Sequence, residues 1–124
     1  MNGAGLAWVF SHEDTPMTQE PTAARESFGE VAPKLAEISD KVLFGDVWAG
    51  DGLSPRDRSL VTITSLISLY RTNEMPFHIG RALDNGVTRD EVIEIITHLA
   101  FYSGWPTAMT ALNIAKDVFR QRGL

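Results

Sequence analysis

Arg71, Glu74 and His78 stand three and four residues apart, and each can hold an anion or move a proton. If Glu74 and His78 share a helix, their i, i+4 spacing puts them on one face. A carboxylate beside an imidazole is a pair suited to proton transfer. The same spacing also describes an ordinary exposed ion pair, which contributes little. The stretch they open closes on Tyr102-Ser-Gly-Trp-Pro106, a turn carrying two large aromatic rings.

Other chemistries lack their residues. The 124-residue chain has no cysteine, so disulfides, thiolate nucleophiles and cysteine-type zinc sites are excluded. Its three histidines lie far apart, and no His-Glu-x-x-His pattern occurs. No glycine-rich phosphate loop, dinucleotide fingerprint or serine elbow is present. The expected chemistry therefore uses side-chain acids, bases and cations, without an obvious metal or cofactor. A net charge of -5 argues against a nucleic-acid partner. A local arginine cluster still suits a small anion.

The elements that must position these groups read as helices. Phe28, Val31, Leu35, Ile38, Val42 and Leu43 recur at helical intervals over residues 22–44, with Pro33 a point of division. Phe44 to Gly52 reads as a glycine-rich loop, with Trp48 a core plug or the wall of a pocket. Ser54-Pro55 starts a helix so apolar that it should be the most buried one. A second helix, capped by Thr72 or Asn73, ends at Asn85-Gly86. Thr88-x-x-Glu91 is a capping box, and the helix it opens breaks at Gly104, where Pro106 begins the last. His98, four residues after Glu94, reads first as a surface or interface pair.

The fold expected is all-α, a single small domain of five or six helices over residues 22–124. Residues 1–21 form an N-terminal arm, either poorly ordered or docked on a neighbouring subunit through Leu6–Phe10, unless that segment precedes the true start. No apolar run approaches the ~18 residues of a membrane span. No basic region precedes a long apolar stretch, so no secretory signal is expected, and a cytoplasmic location is.

Several spaced motifs resemble the carboxymuconolactone decarboxylase family. They are Phe44-Gly-Asp-Val-Trp48, Leu53-Ser-Pro-Arg-Asp-Arg-Ser-Leu-Val-Thr62, Arg71-x-x-Glu74-x-x-x-His78, Ala82-x-x-Asn85-Gly86-x-Thr88-x-x-Glu91 and Tyr102-x-Gly104-x-Pro106. The resemblance runs from about Phe28 to Phe119. The wider superfamily includes alkylhydroperoxidase D-like peroxidases, which use Cys-x-x-Cys before the histidine and a glutamate on the preceding helix. Here those positions are Arg71, Glu74 and Ser59. Without thiolates the peroxidase relay cannot run.

The resemblance implies a helical subunit in a ring-shaped homo-oligomer, a hexamer or trimer. It implies cofactor-free decarboxylation of 4-carboxymuconolactone to β-ketoadipate enol-lactone, in the degradation of protocatechuate. Such a dianionic lactone suits a clamp of Arg71 with Arg58 or Arg81. Decarboxylation sends an electron pair to the lactone carbonyl, where a donor such as His78 would stabilise it. Either Glu74, protonated in an apolar site, or His78 itself would protonate the ring carbon. Trp48, Tyr102 or Trp105 would supply an apolar wall. Two other readings share this scaffold: a cofactor-free enzyme for a different lactone or enolisable acid, and a non-catalytic binding protein.

Overall fold

The computed structural model describes residues 21–124. Within them all regular structure is helical: six α-helices and one π-helical segment, with no strand among the described residues. The expected N-terminal arm, including Leu6–Phe10, lies outside the described residues, Pro21 apart. The described residues divide into two compact units, the first ending at Pro55 and the second running from Arg56 to Leu124.

In the first unit α1 is Ala23–Phe28 and α2 is Pro33–Ile38. Pro33 opens α2, where its missing N–H costs nothing. The helix then widens into a π-helical segment, Ser39–Val47. Trp48 N–H closes it with an i→i−5 bond of 2.9 Å to Leu43 O. The residues Phe44 to Val47, read above as loop, are thus the end of a helix. Asp40, 6% exposed, turns its carboxylate to the start of α1 and accepts from Ala24 N–H and Arg25 N–H, both at 2.9 Å. It caps α1 from sixteen residues away, where Thr22 makes no side-chain cap. Phe44, Trp48 and Ala23 form a small core. The expected apolar stripe points elsewhere: Val31, Leu35, Ile38 and Val42 are exposed.

The second unit packs four helices: α3 Pro55–Ser68, α4 Met75–Asp84, α5 Arg89–Tyr102 and α6 Trp105–Gln121. α3 ends with Tyr70 in the left-handed region (φ 59°), and Arg71 N–H returns 2.8 Å to Leu66 O. Such a C-terminal turn usually employs glycine. Here the Tyr70 hydroxyl meets Thr110 Oγ1 at 3.2 Å, which ties the turn to α6. Gly86 (φ 102°) ends α4 as expected, and Val87 N–H bonds Ala82 O. Thr88 and Glu91 complete the capping box of α5. The core gathers Ile63 and Ile67, Met75 and Ile79, Ile96, and the alanine row of α6. α3 is not the most buried helix: Val61 and Ser65 face solvent, whereas α6 buries five side chains.

Candidate active site

α4 carries the histidine. Met75, Ile79 and Ala82 are at most 1% exposed and pin this short helix into the core. His78 lies between the first two of these, half-buried, with the edge of its ring against Phe77 (centroids 4.9 Å apart, planes at 89°). One turn on, Arg81 is 2% exposed. Burial, and then the Arg81 charge, push the His78 pKa down from 6.5 to about 4. Burial likewise lowers Arg81, to about 8, against the support of the Asp84 carboxylate. At neutral pH the pair is therefore a neutral imidazole beside a charged guanidinium.

Glu74 is the N-cap of α4, the position that the sequence gives to Thr72 or Asn73. Its carbonyl accepts from His78 N–H at 3.3 Å, so the expected one-turn spacing is present in the backbone. The side chains part company. Glu74 and Arg71 are exposed, and among the described residues neither makes a side-chain hydrogen bond or ion pair. His78 is instead influenced by Arg81. The apolar surroundings that would let Glu74 act as an acid are not there in the single chain.

The remaining candidates are spread out. Arg58 is half-buried on α3. Beside it Ser59, at the position where the peroxidases keep a glutamate, is buried and accepts 3.0 Å from Asn85 Nδ2 at the end of α4. Trp48 is 6% exposed inside the first unit, packed with Ala23 and Phe44. Tyr102 and Trp105 form an exposed corner where α5 meets α6. There Trp105 meets Phe101 edge-on at 5.8 Å, and Tyr102 stacks on His98 at 4.8 Å.

His98 forms no ion pair with Glu94 among the described residues; its ring contact is with Tyr102. With Leu60, Thr64, Glu94, Ile95 and Leu99 it lines an open cleft of about 340 Å³ between α3 and α5. The i, i+4 spacing of His98 and Tyr102 is the sequence signal that points to their stack. Among the described residues no group of three histidine, aspartate or glutamate side chains could hold a metal ion.

Residues 33–117 match the carboxymuconolactone decarboxylase family. The chain belongs to that family. It is 41% identical over 99 residues to a 4-carboxymuconolactone decarboxylase of Acinetobacter baylyi, a match covering 80% of this chain and 74% of that protein. It is 32% identical over 80 residues to a nitrosuccinic acid decarboxylase of Metarhizium robertsii, covering 64% and 56%. The matched span of the family includes α4 whole, and with it the His78–Arg81 couple.

Proposed function

We propose that this chain is a cofactor-free carboxy-lyase that converts 4-carboxymuconolactone to β-ketoadipate enol-lactone and carbon dioxide. The observation that carries this reading is the likeness to the Acinetobacter baylyi enzyme across four-fifths of the chain. The His78–Arg81 couple supports it chemically.

The reaction removes one carboxylate as carbon dioxide and adds one proton to a ring carbon. The electron pair left behind passes through the ring double bond to the lactone carbonyl. A neutral imidazole donates at one nitrogen and accepts at the other. His78 can thus give a hydrogen bond to the carbonyl oxygen as it becomes anionic, and relay the proton that the ring carbon takes up: its unprotonated nitrogen gains a proton from solvent as its N–H proton is delivered to the carbon. His78 takes this role in preference to Glu74, whose carboxylate is exposed. The guanidinium groups of Arg81, Arg71 and Arg58 are the proposed anchors for the substrate carboxylates. Tyr102 and Trp105 are exposed apolar surface for a wall, which favours a step in which a carboxylate loses its charge. Trp48, closed into its own cluster, supports that role least.

The chain is proposed to work in the cytoplasm as a homo-oligomer, a hexamer or trimer, because both units leave large apolar side chains exposed.

Purified protein mixed with carboxymuconolactone should remove its ultraviolet absorbance. His78→Ala should slow turnover about a hundredfold or more, as expected for loss of a general acid–base group, with an unchanged helical circular dichroism spectrum. Wild-type protein that leaves the lactone intact would overturn the reading.

The likeness to a nitrosuccinic acid decarboxylase favours a second reading, another di-acid with an acceptor beside the departing carboxylate. A nitro group, like the unsaturated lactone, can accept the electron pair. Faster turnover of nitrosuccinate than of the lactone would select it.

A further inference from the structure

Arg122 follows α6, three residues from the C-terminal Leu124 when both are counted. Its guanidinium reaches back to α4 and donates to both carboxylate oxygens of Asp84, at 2.6 and 3.3 Å. The path runs over Gly80, where an added Cβ would lie only 2.8 Å from Arg122 Nη2. Asp84 is also the acid that supports the charge on Arg81, and Arg81 is the charge that acts on His78. His78, Arg81 and Asp84 follow one another at three-residue steps along α4, and Arg122 holds the far end of the row. Other charged or titratable side chains belong to the elements around α4: Arg56, Asp57 and Arg58 on α3, Arg71 and Glu74 before α4, Arg89, Asp90, Glu91, Glu94 and His98 on α5, and Lys116, Asp117 and Arg120 on α6. None of them acts on His78 as Arg81 does. From sequence, Arg122 is no more than a cation complementing a helix dipole.

We propose that Arg122 is a positioning residue for His78: by holding Asp84 at the end of α4, it leaves the Arg81 charge directed at the imidazole. The catalytic consequence rests on the decarboxylase reading above; the electrostatic coupling does not. With Arg122 gone, one positive charge is lost and the freed Asp84 carboxylate turns to Arg81. Both changes favour a proton on His78, so the sign is unambiguous.

The test is an NMR titration of the histidine rings in wild type, Arg122→Gln and Arg122→Lys, with His78→Asn assigning the signal. In Arg122→Gln the His78 ring should titrate higher than in wild type by roughly half a pH unit, the size expected for one charge at intermediate range. In Arg122→Lys, which keeps the charge, it should stay closer to wild type. A His78 titration unchanged in Arg122→Gln, or three histidines moving together, would overturn the proposal. With carboxymuconolactone as substrate, the acid limb of the kcat profile should move upward in Arg122→Gln. A limb that stays put while the ring titration moves would remove Arg122 from the reaction. Wild-type protein inactive on the lactone would sink the decarboxylase reading, and the titration would still decide the coupling.

Discussion

His78 is the residue on which sequence and structure agree about place and differ about company. Its spacing from Glu74 suggests a carboxylate–imidazole pair suited to proton transfer. What acts on it instead is its own burial and then a buried cation, Arg81, and together they keep the ring neutral. Burial decides this, and no spacing rule reveals that Glu74 lies at a helix end in solvent while Arg81 lies inside. The consequence is measurable as a pH-dependent stability. A ring that titrates near 4 when folded and near 6.5 when unfolded costs nothing above pH 6.5, where both states are neutral. As pH falls through this window the unfolded chain takes up the proton first, so stability is lost between about 6.5 and 4. Urea denaturation at pH 7 and pH 4.5 should show a larger loss for wild type than for His78→Asn. Equal losses would mean that the ring is not held neutral.

At the scale of elements, local chemistry was legible where a few adjacent residues decide the outcome. Pro55, Asn85-Gly86, Thr88-x-x-Glu91 and Gly104 all punctuate the chain where the sequence puts them. Long-range decisions were hidden. Asp40 caps α1 from a different helix. The π-helical segment runs on through Phe44 and Gly45, where three glycines suggest a loop. The α3 stripe is apolar enough for a central helix, yet part of it stays outside. The capping box gives the cleanest test of a local device. Thr88 Oγ1 accepts from Glu91 N–H at 3.1 Å, and the Glu91 carboxylate accepts from Thr88 N–H at 2.9 Å while it also meets Arg56 of α3. The Thr88 N–H bond and then Arg56 hold the Glu91 pKa below the usual carboxylate range. Thr88→Ala should therefore lower unfolding stability by about 1 kcal/mol, within the range for lost N-caps, and Thr88→Ser should restore most of it. An alanine variant as stable as wild type would show that the Arg56–Glu91 contact alone secures the start of α5.

At the scale of the whole molecule, the surface is the unexplained part. In the first unit Val31 is 90% and Leu35 59% exposed, and Ile38 and Val42 continue the row at helical spacing. In the second, Phe101 is 76%, Tyr102 78% and Trp105 60% exposed around one helix corner. Scattered apolar residues on a surface need no account, but rows and corners of large ones are rarely left to water in a monomer. A net charge of -5 spread over the chain opposes self-association only weakly, and salt screens it further. Light scattering at micromolar concentration should therefore return a multiple of the chain mass. Leu35→Asp with Val42→Asp adds charge to exposed positions, so the fold of one chain should survive while any contact made there is lost. Phe101→Ser with Trp105→Ser tests the corner in the same way. Dissociation by the first pair alone would assign the subunit contact to the row in the first unit and leave the corner open for substrate. Dissociation by the second alone would bury Tyr102 and Trp105 between subunits, so that any wall they form around a substrate would belong to a shared site. A wild-type monomer would remove the ring from the reading altogether, and the exposed rows would need a different partner.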